Sequence, residues 1–500
     1  MSSARRGLGF VVGFTALLPL AAQIPLDAQG ASTPPESADP DFVAWIKLRP
    51  ASEWYGMYVE GHKIGWRAVH TRLTPWRGET VYEVVTEKRM RTAAEGQTEE
   101  TAWTDSRRYA LHGDGPLLQM EVTQVHDGVE TTRTVEREDG AYVIRSQTAD
   151  SRTQRRIQLT RECLRQELEI TEWFDRSVAG EPAPEVWKAY IVDLEEEEPE
   201  IEVQARYMGS DHRQIAGVQT LIHRVRTEMR GAPAELELVN WHRLVRLRGL
   251  VEIRREPESL ARQLDADVPD VFAIAGIRVE GGFGEVTHPS RVVFDVFNTS
   301  AFTFPETSRQ RVERIDAGHR RITLGPQDGA AATTPLGVAD RARYLRGSVR
   351  YPIEADALCA VITELDWPSD ADASTRATAV CDYVHDELRK AYGHNATDAA
   401  AVLARGGGDC TEHTLLFVAL ARAAGVPARE VSGLVPCSRK PLTLMYHAWA
   451  EYHDGGRWVE VDPTWGQAPP DATHLRLATE GDLAWYAVAN EAAFKVVDVK

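Results

Sequence analysis

Residues 406–417, GGGDCTEHTLLF, lead from three glycines directly into an apolar segment. Apolar residues continue at helical spacing to Ala424, and Gly425 with the Val-Pro pair at 426–427 ends the pattern, which predicts a largely buried helix. Cys410 falls in the first turn of that helix, where unpaired backbone N–H groups and the helix dipole favour a thiolate. The glycines allow another backbone or a bound molecule to approach closely. A catalytic nucleophile would be placed in this way, but an ordinary turn into a helix has the same pattern. Whether Cys410 is catalytic therefore depends on whether the sequence supplies partners for its thiol.

Two candidate partners lie at the ends of a predicted β-hairpin. His447 starts the segment HAWAEYH, Asp462 lies in RWVEVDPTW, and a DGG turn at residues 454–456 separates them. Antiparallel pairing about that turn places the two side chains next to each other. The carboxylate can then orient the imidazole through one ring nitrogen while the other faces a thiol. Because the cysteine helix needs a sheet for its apolar face, and this hairpin follows it, we predict a catalytic triad of Cys410, His447 and Asp462.

Three stretches of this region resemble the transglutaminase-like superfamily, whose core is similar to that of papain-type cysteine peptidases. They are residues 406–434, 446–466 and 471–477, and they contain the motifs G-D-C, H-A-W and D-P-T in the order found in the family. The resemblance covers about Tyr351 to Lys500. It implies an α+β core of the papain/transglutaminase type, with the three triad residues in the catalytic positions of the family.

The resemblance also implies an enzyme that cleaves or transfers an acyl group, from a peptide or a glutamine carboxamide, through a cysteine thioester. Hydrolysis and amine transfer differ only in whether water or an amine resolves the thioester, and the residues leave both outcomes open. The expected substrate is a protein or peptide, and no cofactor or metal is expected.

Two other interpretations of the same residues remain. The first is a non-catalytic binding or scaffold protein, in which a β-rich region is the recognition surface and the triad is a relic. The second is a zinc site at Cys410, His413 and His447, because Cys-x-x-His has ligand spacing, although no second pair such as Cys-x-x-Cys follows. Alkylation at mildly acidic pH separates these hypotheses, because a core thiol or a zinc-bound thiolate is protected.

The rest of the chain predicts a large antiparallel β-rich region before the cysteine domain. Alternating segments fill residues 42–323, starting with a hairpin at 53–73 around Glu60-Gly61, and they form one or two units. A linker rich in glycine, proline and small residues follows at 324–340, and residues 341–500 form the transglutaminase-like domain. The predicted fold class is α+β.

The first 41 residues predict export. Residues 1–28 have the pattern of a signal peptide, because Arg5 and Arg6 precede the apolar segment 7–22, and residues 29–41 form a polar linker. We expect an exported protein that is periplasmic, secreted or associated with the cell envelope.

The net charge and the cysteine content argue against a nucleic-acid-binding protein and against a disulfide scaffold. The 500-residue chain has a formal net charge of −18 and no basic stretch that offsets it, which argues against a nucleic-acid partner. Its five cysteines cannot all pair, and their sparse spacing is not that of a disulfide scaffold. Cys359 and Cys381, on two neighbouring predicted helices, are expected to be buried thiols rather than a disulfide.

Overall fold

The computed structural model describes residues 34–500 apart from short gaps. The gaps are residues 36, 60, 95–96, 127–128, 148–151, 195–198, 216, 242, 250, 266–275, 300–301, 327–334, 392–397, 440 and 480–491. The predicted signal peptide at 1–28 and the first part of the linker at 29–41 lie outside the described residues. No helix within the described part of the chain is long and apolar enough to cross a membrane. The chain divides into two compact units, with the main division between residues 270 and 271.

The first unit, here called the β-rich unit, is built on a sheet of fourteen strands. These are β1 (Ser52–Val59), β2 (His62–Trp76), β3 (Glu79–Ala94), β4 (Gln97–Tyr109), β5 (Leu117–His126), β6 (Val129–Glu138), β7 (Ala141–Gln147), β8 (Arg152–Ile157), β9 (Trp187–Val192), β10 (Glu200–Ile215), β11 (Val218–Met229), β12 (Ala232–Asn240), β13 (Arg243–Arg248) and β14 (Glu252–Arg255). Their order is β8-β7-β6-β5-β4-β3-β2-β1-β14-β13-β12-β11-β10-β9. The predicted first hairpin is confirmed, since β1 and β2 pair antiparallel with Gly56 opposite Trp66.

Three helices accompany this sheet, and the sequence analysis predicted none of them. They are α1 (Pro40–Lys47), α2 (Leu164–Ala179) and α3 (Glu258–Ala261). Asp39 caps α1 by accepting the Asp41 N–H at 2.9 Å, with Pro40 at the first helical position. Phe42 and Trp45 of α1 and Leu164 of α2 are buried in one apolar core with residues of the sheet. Helices α1 and α2 therefore help to fill this core, whereas Ala261 of α3 is buried in a smaller cluster with Trp54 and Trp66.

The second unit, here called the cysteine unit, combines helices with a nine-stranded sheet. Its helices are α4 (Val338–Leu345), α5 (Asp356–Glu364), α6 (Ala373–Glu387), α7 (Ala399–Arg405) and α8 (Cys410–Ala423). Its strands are β15 (Ile277–Glu280), β16 (Val292–Phe297), β17 (Gln310–Arg314), β18 (His319–Leu324), β19 (Arg389–Lys390), β20 (Gly407–Gly408), β21 (Ala428–Arg439), β22 (Leu442–His453), β23 (Trp458–Val461), β24 (Leu475–Thr479) and β25 (Ala493–Val499). The sheet order is β17-β18-β16-β25-β15-β22-β21-β24, with β23 paired to β22 and a separate β19-β20 pair. The predicted α+β class, with a β-rich region ahead of a helix-and-sheet core, is confirmed.

The division between the units differs from the predicted boundary at residues 324–340. Strands β15 to β18, which the sequence analysis placed in the N-terminal region, belong to the sheet of the cysteine unit. β16 pairs antiparallel with β25 from Val292 opposite Val499 to Phe297 opposite Ala493. Alternating hydrophobicity identifies a strand but does not say which sheet it joins, and here the partner lies close to the end of the chain.

The cysteine helix α8 lies at the centre of its unit. Thirteen of its residues, from Cys410 to Arg422, are buried. The helix packs against β21, β22 and the four other helices of the unit. The predicted helices and the hairpin around residues 454–456 are confirmed. They could be predicted because caps, turn residues and apolar spacing mark them locally in the sequence.

None of the five cysteines, all of which lie within the described residues, forms a disulfide. Cys381 of α6 is buried as expected, whereas Cys359 of α5 is exposed. The buried face of α5 carries Leu358 and Val361, and Cys359 lies to the side of it. This exposure corrects the expectation that both thiols are buried.

Candidate active site

Cys410 is the first residue of α8, and the cap of that helix fixes its position. The Asp409 carboxylate accepts the Thr411 N–H at 2.8 Å, and the Glu412 carboxylate accepts the Asp409 N–H at 2.9 Å. This capping box satisfies unpaired donors at the start of the helix. Cys410 is 8% exposed, so its thiol lies at a buried helix N-terminus, where the helix dipole favours the anion.

The glycine loop before Cys410 makes close contacts, as predicted. Its β20 segment pairs in parallel with β19, which follows α6 in the chain. A Cβ atom at Gly408 would overlap the side chain of Glu412, which folds back to complete the capping box. Glycine is therefore required at 408 so that the cap can form beside the thiol.

His447 lies in the middle of β22, not at the start of the strand as predicted. One edge of β22 pairs with β21, where Gly433 is opposite His447. The other edge pairs with β15 as far as Leu444 and with β23 from Ala450, so His447 falls between two partner strands. A Cβ atom at Gly433 would overlap the carbonyl oxygen of Leu475 on β24, so a glycine is needed at that position too.

The three predicted triad residues lie together. His447 Nε2 donates to Asp462 Oδ2 at 2.8 Å, which leaves Nδ1 for the thiol, and the Cys410 and His447 side chains are hydrogen-bonded. Burial alone would lower the pKa of His447, but Asp462 and Cys410 raise it to about 9. Burial and the Asp409 carboxylate disfavour the Cys410 thiolate, whereas the charge of His447 and its hydrogen bond to the thiol favour it. The raised pKa of His447 favours the imidazolium of a thiolate–imidazolium pair.

Asp462 follows β23 and is fully buried. Its Oδ1 accepts the backbone N–H groups of Thr464 at 2.8 Å and Trp465 at 3.3 Å. Its Oδ2 accepts His447 and also His474 Nε2, the latter at 3.0 Å. Burial would raise the pKa of Asp462, but the two imidazoles hold it well below its usual range, so the carboxylate is ionised.

The sequence analysis did not identify His474 as part of the site. The residue lies within the stretch 471–477 that carried part of the family resemblance, but it belongs neither to the hairpin nor to the cysteine helix. It immediately precedes β24, which pairs with β21 and not with β22. No local pattern gives that pairing, so only the motif itself could have drawn attention to this histidine.

Two tryptophans flank the imidazole of His447. Trp465 stacks on it with ring centroids 4.7 Å apart and an interplanar angle of 16°. Trp449, which is fully buried, lies at 6.1 Å and 22°. These rings limit the rotation of the imidazole and shield it from water.

His413 has a different role from the triad histidine. Its Nδ1 donates to the Asp409 carbonyl oxygen at 2.8 Å, and the ring also contacts the backbone of Leu388. The zinc interpretation required Cys410, His413 and His447 to converge on one ion. Among the described residues, the histidine, cysteine and carboxylate atoms that come within 4.8 Å of one another in a group of three are those of His447, Asp462 and His474. The structure therefore does not assemble the predicted zinc ligands, and His413 braces the start of α8.

Comparison with known proteins gives one family match. Residues 363–463 match the model of the transglutaminase-like superfamily. No curated protein matches the chain.

Several solved structures are similar to parts of the chain. A "putative cysteine protease" from Cytophaga hutchinsonii has 18% identity and a TM-score of 0.27, with 45% of this chain and 86% of that chain covered. The periplasmic domain of TgpA from Pseudomonas aeruginosa, bound to ethylmercury, has 18% identity and a TM-score of 0.24, with 38% and 76% covered. A "putative protease" from Parabacteroides distasonis has 10% identity and a TM-score of 0.19, with 71% and 69% covered.

These structural similarities are too low to define the fold or the site, so the assignment rests on the family match. The matched segment contains α8, β22 and β23, together with all three predicted triad residues. Residues 363–463 of this chain are therefore similar to the transglutaminase-like superfamily.

Proposed function

We propose that this protein is an exported cysteine enzyme that cleaves or transfers an acyl group through a thioester on Cys410. The observation that carries the proposal is the buried set of hydrogen bonds that joins Cys410, His447 and Asp462 at the N-terminus of α8. A thiol beside an oriented imidazole, at a helix start, is the arrangement that an activated cysteine nucleophile requires. A binding protein would have no need for it.

The first half of the reaction forms the thioester. The Cys410 thiolate attacks the carbonyl carbon of a peptide or a glutamine carboxamide, and a C–S bond forms while the carbonyl oxygen becomes an oxyanion. The backbone N–H of Cys410 lies at the helix start and would stabilise that charge. His447 then gives its proton to the leaving amine or ammonia as the C–N bond breaks, and Asp462 holds the imidazole in place.

The second half releases the acyl group. Water or an amine attacks the thioester, His447 takes the proton of the attacking group, and the Cys410 thiolate leaves. We propose hydrolysis of a peptide or amide as the main outcome, with transfer to an amine as the competing one. Trp465, stacked on His447, restricts the space around the imidazole through which either nucleophile must approach.

The test is a substrate screen with the purified mature protein. Casein, peptidoglycan peptides and a fluorescent amine cover peptide cleavage and amine transfer. We expect turnover with one of them and none in a Cys410→Ala variant assayed in parallel. Product formation by that variant at the wild-type rate would refute the thioester mechanism.

Export is a separate part of the proposal. It rests on the sequence of residues 1–28, which lie outside the described residues. N-terminal sequencing of the protein from its native cell is expected to begin between about residues 23 and 31, after the apolar segment. A protein that starts at Met1 or Ser2 in the cytoplasm would contradict export and would leave the catalytic proposal unaffected.

A further inference from the structure

One oxygen atom of Asp462 is shared by two imidazoles. Oδ2 accepts His447 Nε2 at 2.8 Å and His474 Nε2 at 3.0 Å, and the two rings lie 5.8 Å apart at 64°. Because an ionised carboxylate can only accept, both ring nitrogens must be donors. All three side chains are buried, with Asp462 at 0% and the two histidines at 5% exposure.

His474 is itself held on its other side. Its Nδ1 lies 3.4 Å from Thr473 Oγ1 and 3.7 Å from Asp471 Oδ1. Its ring packs edge-on against Trp465 at 5.2 Å and 74°, and Trp465 in turn stacks on His447. His474 therefore contacts Asp462 and Trp465, two of the groups that limit the movement of His447.

We propose that His474 is a positioning residue for the cysteine nucleophile, acting through Asp462. Its Nε2–H fixes Oδ2, so that the carboxylate keeps the His447 ring with Nδ1 toward Cys410. The inference rests on the proposed function, because it assigns His474 a role in the same catalytic site.

The donor, and not merely the volume of the ring, is required in this environment. Oδ1 is already satisfied by two backbone N–H groups, and the Asp462 side chain has no exposed surface. Loss of the His474 donor would leave Oδ2 with His447 alone, and a buried charged acceptor that loses a partner is costly. Cys381 of α6 and His413 of α8 also interact electrostatically with Asp462.

The experiment measures the state of Cys410 without a substrate. The full mature chain is alkylated with iodoacetamide between about pH 5 and pH 9, and the Cys410 peptide is quantified by mass spectrometry. The exposed Cys359 provides an internal reference thiol in every sample. His474→Gln keeps an N–H donor, whereas His474→Leu keeps apolar volume without a donor.

A matched control removes another buried histidine of the same sheet. His453, at the end of β22, is 1% exposed, and its Nδ1 accepts the Gly455 N–H in the hairpin turn at 3.1 Å. His453→Leu is expected to lower the melting temperature but to leave the pH profile of Cys410 unchanged. Melting curves for all variants separate unfolding from a change in the site.

We expect His474→Leu to slow alkylation of Cys410 at pH 6 by about tenfold, the scale of a hydrogen bond to a charged group, and to move the half-maximal pH upward. His474→Gln should stay within about twofold of wild type. Equal effects of leucine and glutamine, profiles unchanged in both, or a downward movement of the half-maximal pH would overturn the proposal. Because alkylation needs no turnover, a failure of the acyl-transfer proposal would appear in the substrate screen and not here.

Discussion

Both units of the chain bury charged side chains, but they connect them differently. In the β-rich unit, Arg107 forms ion pairs with Asp105 at 2.9 Å and with Glu162 at 2.8 Å, so two carboxylates share one guanidinium. In the cysteine unit, Asp462 binds His447, and His447 binds the Cys410 thiol. The first arrangement consists of ion pairs alone. The second connects a carboxylate, through an imidazole, to a nucleophilic thiol.

The β-rich unit also has features that are often used to locate active sites. A cavity of about 60 Å³ is lined by charged and aromatic residues, among them Arg49, Glu53, Tyr82 and Glu167. Burial raises the pKa of Glu53 and of Glu167 to about 7. The residues that line this cavity include no cysteine and no histidine. A shifted pKa in a cavity is therefore insufficient, because structural networks of ion pairs produce it as well.

The largest expected effect tests the nucleophile. Cys410→Ala should abolish turnover and leave the melting temperature nearly unchanged, because alanine is tolerated at a helix start. The control is Cys381→Ala, which removes a thiol that is fully buried in α6 and whose pKa burial raises to about 12. That variant should lose some stability and keep its activity. Loss of turnover in both variants, or in neither, would contradict the assignment of Cys410 as the nucleophile and of Cys381 as a structural thiol.

The next largest effect concerns the division between the units. A fragment of residues 276–500 contains both strands that neighbour β25 and is expected to melt cooperatively. A fragment of residues 339–500 lacks β15 and β16, so β25 has no partner strand and β22 loses β15. We expect this shorter fragment to be insoluble or to melt without cooperativity in calorimetry. Cooperative melting of the shorter fragment would instead support the boundary predicted at residues 324–340.

The same substitution in the two units should differ in its effect on activity. Asp462→Asn should lower kcat by about a thousandfold or more, as expected for the orienting carboxylate of a triad, and it should also cost stability because it removes a buried ionised acceptor of four hydrogen bonds. Asp105→Asn, which weakens the ion pair with Arg107, should cost about 1–3 kcal/mol of stability and leave kcat unchanged. Steady-state kinetics and urea unfolding of both variants check this pair of results. A large loss of kcat in Asp105→Asn would contradict the separation.

The features that were predictable from the sequence are those with local signals. Glycines and a negatively charged cap mark the start of α8, and a DGG turn marks the hairpin that carries His447 and Asp462. The spacing of these residues then placed the three side chains of the candidate site close together. Helix α1 also has a local signal, Asp39 before Pro40, at a position that the sequence analysis assigned to the linker of residues 29–41.

What could not be predicted depends on pairing between distant parts of the chain. β16 is a clear strand in sequence, but its partner β25 follows only after the helices of the cysteine unit. His474 reaches Asp462 because β24 pairs with β21. Pairing between segments that are so far apart in the chain leaves no local periodicity or turn residue from which it could be predicted. Only the structure shows that a second histidine shares the carboxylate.

The smallest expected effect returns to the buried carboxyl groups of the β-rich unit. Glu53 of β1 is 2% exposed, and burial outweighs the nearby Arg255 and raises its pKa to about 7. Folding thus favours the protonated carboxyl group. The contribution of Glu53 to the free energy of unfolding is therefore complete below the unfolded pKa of about 4.5 and is lost as the pH rises through 7. Glu53→Gln should remove about 2–3 kcal/mol of the decrease in unfolding free energy between pH 5 and pH 8.

This last prediction is measured by urea unfolding followed by hydrogen exchange in peptides that contain β1. Glu258→Gln, at an exposed position on α3, is the control and should reproduce the wild-type pH dependence. Turnover should be the same in all three proteins. An unchanged pH dependence in Glu53→Gln would mean that Glu53 is ionised in the folded state and that Arg255 compensates for its burial. The raised pKa of His447 stabilises the charged form that acyl transfer uses, whereas the raised pKa of Glu53 makes the fold less stable at neutral pH, and activity should depend only on the former.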